Sequence, residues 1–269
     1  MRGTVLETRN LLLFLYMAKA KRPTSNVKSK SSKSGTSKGG GIKGFGSKIW
    51  SFIKKALIVF FVSSIGVTLL YRFIDPFFTP LMLIRAGEQV VHGDNIKIKY
   101  TWVDMEDMSP FMPKAALAAE DQKFFEHHGF DFEAIMKAFE KNQHSKKLRG
   151  GSTISQQAAK NVFLWAGRSW LRKGLEAYFT ILIEFIWPKE RILEVYLNII
   201  EMGRGVYGAE AASKYYYGKG CAKLSKSEAS AIASVFPLPL KWNPVKPSSM
   251  LQKKQAWIRR QVDGMVIPR

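Results

Sequence analysis

The sequence predicts a mainly α-helical domain behind a single N-terminal membrane helix. Three observations point there. Helix caps and apolar stripes at helical spacing recur from about residue 113 onward. Strand signals reduce to one candidate, "IKIKYTWV" at residues 96–103. A charge-free stretch of 16 residues, 56–71, follows a strongly basic tail. With 269 residues, 46% of them hydrophobic and 13% aromatic, the chain has room for one good-sized folded domain plus appendages.

Residues 1–49 read as a basic, largely disordered tail. "LLLFLYMA" at residues 11–18 is too short to cross a bilayer. "AKA" at residues 18–20 has the form of a signal-peptidase site, but an apolar patch, or a start at Met17, is the plainer reading. In residues 28–48, 18 of 21 positions are Ser, Lys or Gly. Such a segment cannot bury enough apolar surface to offset its chain entropy.

Residues 50–74 are the expected transmembrane helix. Its charge-free part reaches about 24 Å, slightly short of a hydrocarbon core of about 30 Å. Lys54, Lys55 and Arg72 can snorkel, and Trp50 and Tyr71 suit the two interfaces. The competing reading is a buried core helix. Charge decides against it: residues 1–55 hold 13 basic residues against one acid, Glu7, a net of +12. That excess should keep the tail in the cytoplasm and put everything after Ile74 on the other side. The rest of the chain holds 29 basic and 20 acidic residues, out of a whole-chain net charge of +21. A basic domain suggests a phosphate-bearing partner. On the far side of a membrane, nucleic acid is a poor candidate.

Residues 75–98 read as a membrane-proximal connector, in which Pro76 and Pro80 argue against simple continuation of the helix. The folded domain covers residues 99–269. Its first helix is expected at residues 113–124. A second starts at a plausible N-cap, Asp131, and a third carries Thr153 and Gln156 at capping-box spacing. "SWLRKGLEAYFTILIEFIW" is a long amphipathic helix. The next has Pro188 in its first turn, Gly203 as a stop, and Ile192, Tyr196 and Ile199 as an apolar stripe. Ser225 and Glu228 form another capping box in a helix ending by Pro237. The single cysteine, Cys221, excludes an internal disulfide, and the four histidines make no convincing metal set.

Three stretches carry chemistry. In "AAEDQKFFEHHGFD", Glu120 and Asp121 end a mostly apolar helical turn, where desolvation would raise a carboxyl pKa and suit it to acid–base work. An ordinary solvated helix end fits equally well. His127 could orient a carboxylate or cap the turn. In "LRGGSTISQQAAKN", Arg149, Gly150 and Gly151 permit close backbone approach, and Ser152 or Thr153 opens a helix whose N-terminus favours anions. Gln156 and Lys160 share a face. No nucleotide-binding P-loop is present. A capped helix with a polar face is the plainer alternative. In "RKGLEAY", Arg172 and Glu176 are four apart beside Lys173, the spacing of an ordinary exposed ion pair.

Together and in order, "EDQKFFEHHGFD", "RGGSTISQQAAKN" and "RKGLEAYFTILIE", leading to "ERILEVYLNIIEMGRGVYGAEAASKYYYGK", resemble the peptidoglycan glycosyltransferases, the polymerase module of bacterial cell-wall synthases. The resemblance covers residues 100–244. The chain has no K-T-G motif and is too short for the transpeptidase module of bifunctional relatives, so it resembles the monofunctional, membrane-anchored branch.

The resemblance implies a lysozyme-like, mainly α fold with a part that dips into the membrane, for which residues 77–84 are the candidate. It implies polymerisation of lipid II, a disaccharide-peptide on undecaprenyl pyrophosphate, by inverting transfer to the 4-hydroxyl of an acceptor sugar. Glu120 matches the general base. Glu176 matches the second carboxylate, acting at the leaving group directly or through a divalent cation. Mg²⁺ or Mn²⁺ is thus the candidate cofactor and Glu176 its candidate ligand. Substrate contacts are expected from Asp121, Phe124, His127, Arg149, Gly151, Ser152, Thr153, Gln156, Gln157, Lys160, Asn161, Arg172, Lys173 and Asn198. Among these, Lys160, Arg172 and Lys173 would neutralise the departing pyrophosphate. The expected partners are lipid II, the growing glycan strand, the plasma membrane and other cell-wall synthesis proteins, with no nucleic acid. The expected location is the bacterial inner membrane, N-terminus cytoplasmic and catalytic domain periplasmic. A lytic muramidase shares the fold but has no pyrophosphate to grip. A non-enzymatic scaffold binding anionic polymer would not need an ordered set of acids.

Overall fold

The structure, a computed structural model, describes residues 42–143, 151–167 and 169–268. The apolar patch, the signal-peptidase-like site, most of the low-complexity tail, and Arg149 with Gly150 lie outside the described residues.

Helix α1 (Ile42–Tyr71) begins ahead of the expected Trp50 and ends short of Ile74. A helix once nucleated lengthens at little cost, so the apolar run carries it back into polar sequence. At its other end the amides of Arg72 and Phe73 bond back to Leu69 and Leu70, which tightens the last turn. The 24 residues Lys48–Tyr71 are long and apolar enough to cross a membrane, and only 11% of their 18-residue apolar window is buried. It is therefore no core helix. Leu57, Ile58, Val62 and Leu69 lie exposed. Ser64 and Thr68 are buried against the domain: Ser64 Oγ and the Tyr178 hydroxyl share a hydrogen bond of 2.7 Å, and Trp187 Nε1 donates to the Thr68 carbonyl at 2.7 Å.

The connector is not irregular throughout. Helix α2 (Pro80–Val91) starts with Pro80 in its first turn, and Thr79 Oγ1 accepts from the Met82 amide. Pro80, read as a helix breaker, is a helix starter, because a first-turn amide has no intrahelical partner to lose. Strand β1 (Lys99–Tyr100) is all that forms of the expected strand at residues 96–103.

The domain then builds α3 (Phe111–Glu120), α4 (Phe132–Gln143), α5 (Ile154–Phe163), α6 (Trp170–Ile186) and α7 (Lys189–Ile199). Strands β2 (Glu201–Gly203) and β3 (Val206–Tyr207) follow, then α8 (Ala209–Tyr217), α9 (Lys226–Ser234) and α10 (Ser249–Gln261). The strands form one small sheet, ordered β1-β3-β2, with β1 parallel and β2 antiparallel to β3. Both expected capping boxes form, Thr153 with Gln156 and Ser225 with Glu228. Such a cap is worth about 1 kcal/mol.

Helix α7 is the hub. From Ile192 to Ile200 all but Glu194 are buried, and α7 packs on α3, α5, α6 and α8. Helices α3, α9 and α10 pack mutually, and α2 lies against α5. The helix expected to reach Gly203 stops at Ile199, since Glu201 and Gly203 pair with β3 instead. Gly208 fixes the turn from β3 into α8. Its φ is +81°, and a Cβ there would stand 2.3 Å from the Asn198 carbonyl oxygen. Gly208→Ala should therefore cost about 2–4 kcal/mol, combining left-handed strain with a backbone clash. A thermal melt of the purified variant checks this.

Candidate active site

The site starts where α3 stops. Asp121 leaves helical space at φ −160°, ψ 79°, so the helix expected to reach residue 124 ends at Glu120. Asp121 is buried and its carboxylate is fully used. It lies 3.0 and 3.1 Å from His127 Nε2, and Oδ2 accepts the Ile154 amide at 3.0 Å. One side chain thus ties the end of α3 to the first turn of α5. Thr153 adds a second tie, donating to the Gly129 carbonyl at 2.7 Å while capping α5.

These ties set Glu120 facing α5. Gln157 Nε2 donates to Glu120 Oε2 at 2.9 Å. Burial pushes the Glu120 carboxyl above the ordinary range, and the Gln157 bond and the charges of Lys254 and Lys160 offset this only in part. Lys160, one turn after Gln157, is itself largely buried. Loss of hydration pulls its ammonium below the ordinary lysine value, and it feels both Glu176 and Glu120. Among the described residues no hydrogen-bond or ion-pair partner reaches Lys160.

Helix α6 supplies the other carboxylate. Glu176 is 3% exposed, and its two oxygens are taken by cations: Arg172 Nη1 at 3.0 Å and Lys173 Nζ at 2.5 Å. The Arg172 side chain is nearly buried as well, and its Nε has no hydrogen-bond partner. The spacing that suggested an exposed pair has produced a dry one. Such a pair is held by geometry and costly to break on one side.

A cavity of about 360 Å³ opens between these elements. Gln157, Lys160, Asn161 and Arg172 line it, with Leu164, Trp165, Phe236, Pro237 and Pro239 as apolar walls and Leu81 and Arg85 of α2 along one edge. Glu120 lies one hydrogen bond behind Gln157, off this wall. The arrangement offers concentrated positive charge beside apolar surface, with a carboxyl of raised proton affinity next to it. That suits an anionic group attached to an apolar chain.

Other expected contact residues take part in the scaffold. Phe124 is fully buried, with its ring 4.3 Å from Lys189 Nζ and 5.0 Å from the Phe125 ring. Asn198 is fully buried too, exchanging two bonds with the Val103 backbone and donating to the Glu194 carbonyl. Asp121, His127 Nε2, Thr153 Oγ1 and Gln156 Oε1 bond to one another and to the backbone, while His127 Nδ1 is buried without a partner. Gly151 does permit a close approach, but to α4: a Cβ there would lie 3.3 Å from Ile135 Cα. Ser152 is exposed.

Among the described residues no group of three or more His, Cys, Asp or Glu side chains could hold a metal ion. Glu176, the candidate ligand, has both oxygens on Arg172 and Lys173, and no step below passes through a metal.

Sequence reasoning missed Arg85, Glu201 and Lys254. Lys254 of α10 donates to the Ser234 carbonyl at 3.1 Å and sits 5.4 Å from the Trp242 ring centroid. Its effect on Glu120 joins positions far apart in sequence, and no local pattern announces it. Arg85 had one signal, a lone cation in the apolar run "PLMLIRAGE".

Comparison with known proteins gives this geometry a family. The model of the family described as Transglycosylase matches residues 88–263. Proteins described as biosynthetic peptidoglycan transglycosylases are similar over most of their length. The Bacteroides thetaiotaomicron protein is 51% identical over 213 residues, covering 79% of this chain and 86% of its own. Those of Bdellovibrio bacteriovorus and Caulobacter vibrioides are each 52% identical, over 78% and 73% of this chain and 84% and 83% of their own. With a lysozyme-like, mainly helical fold, an acid at the end of α3 and a cation-lined cavity beside it, the chain belongs to the transglycosylase family and is a peptidoglycan glycosyltransferase.

Proposed function

We propose that this glycosyltransferase polymerises lipid II into glycan strands by an inverting, single-displacement step, without transpeptidation. One observation carries the reading: Lys160 places a largely buried ammonium, without a partner among the described residues, on the wall of a cavity that also presents Arg172. A buried cation without an acceptor is costly unless a ligand supplies one. A pyrophosphate on an apolar polyprenyl chain supplies the charge, and the apolar walls suit the chain.

In this reading Glu120 takes the proton of the acceptor 4-hydroxyl. The oxygen attacks C1 of the donor sugar from the face opposite the leaving group. The new β-1,4 bond forms as the C1–oxygen bond to pyrophosphate breaks, and the electron pair leaves on the pyrophosphate oxygen. Lys160 and Arg172 meet that charge. Glu176 holds Arg172 and Lys173 in place. Stabilising charge as it develops is typically the largest catalytic contribution.

The same reading makes α1 a single-pass anchor in the bacterial inner membrane, with residues 1–55 and their net +12 on the cytoplasmic side and the domain in the periplasm. The exposed Phe77, Ile181 and Phe185, at 79%, 61% and 88%, support a domain seated on the lipid surface. Other cell-wall synthesis proteins are its candidate partners. The test is incubation of the full chain with labelled lipid II and, separately, with finished glycan. Polymer from lipid II is expected. Shortened glycan with no polymer would make the protein a lytic enzyme.

A further inference from the structure

The connector helix α2 lies outside the three sequence blocks, and Arg85 lies ahead of the matched family region. Yet Leu81 and Arg85 line the same cavity as Lys160 and Arg172. Arg85 uses little of its donor capacity. Nη1 donates to Glu88 Oε2 at 2.7 Å. Nε is buried without a hydrogen-bond partner and stands 3.4 Å from Glu201 Oε2. Nη2 has no partner among the described residues. A guanidinium has five donors in a planar fork suited to phosphate oxygens. Among the described residues Glu201 is the one acid on the cavity wall, against Arg85, Lys160 and Arg172. It is 8% exposed, and burial pushes its carboxyl above the ordinary range.

From this placement we infer that Arg85 is a third cationic ligand for the substrate's pyrophosphate, contributed by the connector and held in reserve by Glu201. Lys160 and Arg172 grip the group from the α5–α6 side, and Arg85 closes on it from α2. The glycosyltransferase site is then incomplete without the segment joining the anchor to the domain. Glu201 competes with the ligand for Arg85, so the two residues act in opposite directions on affinity. The inference rests on the pyrophosphate reading above, but binding can be measured without turnover.

The experiment is calorimetric titration of the full detergent-solubilised chain with farnesyl pyrophosphate, with farnesol and farnesyl monophosphate as controls. Arg85→Gln should weaken farnesyl pyrophosphate binding about tenfold, the scale of a lost charged hydrogen bond. Arg85→Lys should recover part of this. Glu201→Gln should tighten binding about threefold by releasing Arg85. Farnesol should be insensitive to all three changes, and the monophosphate less sensitive than the pyrophosphate. If Arg85→Gln and Glu201→Gln weaken binding alike, or neither alters it, or both fail to fold, the pair is only a strap fastening α2, and the inference is overturned. Lipid II polymerisation by the wild-type chain is scored in parallel. Polymer formation with unmoved Arg85 variants removes only this inference, whereas wild type that binds no pyrophosphate and makes no polymer removes the function reading as well.

Discussion

Glu120→Gln should lower glycan formation from lipid II by about 10³ or more while leaving the fold intact. The loss follows from the proposed chemistry: an amide cannot accept the acceptor's proton, and general-base catalysis alone contributes about 10²–10⁴. Fold retention follows from the local geometry. Gln157 Nε2 can donate to an amide oxygen as it does to Glu120 Oε2, and side-chain volume hardly changes. The stability sign can be worked out. Folding raises the Glu120 proton affinity, so above that raised pKa the folded state holds its carboxylate at a cost relative to the unfolded chain. A neutral amide removes the cost, and the melting temperature at neutral pH should hold or rise. The same shift sets a pH signature. Since the base must be unprotonated, kcat/KM in the wild type should fall on acidification at a pH above the ordinary glutamate value of about 4.3. Labelled lipid II polymerisation from pH 4 to 8, with a melt of each protein, tests all three points. A variant polymerising at the wild-type rate would remove Glu120 from the reaction.

That acid was legible in the sequence only as a possibility. An E-D pair after Ala-rich sequence fits a solvated helix end as well as a dry one. What separated Glu120 from Asp121 was the backbone turn at Asp121, which sends one carboxylate into the scaffold and leaves the other facing α5. Helix starts were far more readable, because a cap is written within four residues: Thr153 with Gln156 and Ser225 with Glu228 formed as read. Helix ends were not, since α3 stops when Asp121 finds Ile154 and His127, partners brought in by tertiary structure. Residue roles blurred for the same reason. Phe124 and Asn198 sit within motif blocks, yet one is core and the other a clamp on Val103. Gly151 makes the close approach its type permits, and the neighbour it meets is α4. Arg85 stayed hidden because a connector carries no register from which a side chain's direction can be read.

Lys160→Glu should reduce polymerisation by at least about 10³, since it removes a contact worth about 10²–10³ and adds repulsion toward the pyrophosphate. Its effect on folding is the decisive part. Were Lys160 merely the polar face of a capped amphipathic helix, its charge would be solvated and reversal nearly silent. Were it a structural ion-pair partner, reversal would unfold the domain. The structure fits neither. Lys160 is largely buried, and its pKa is lowered chiefly by lost hydration. The nearby carboxylates belong to other partners: Glu176 to Arg172 and Lys173, and Glu120 to Gln157. Folding therefore carries this ammonium at a cost, which a neutral side chain of similar length would relieve. Lys160→Met should accordingly lose about 10²–10³ in rate yet melt no lower than wild type, the pattern of a site kept polar for function rather than for stability. Lys160→Glu should still fold, because Arg172 and Lys173 remain to balance the added acid. Polymerisation rates and melting curves of the two variants, measured side by side, separate the cases. Unfolding of both would make Lys160 a structural residue and withdraw the observation on which the pyrophosphate reading stands.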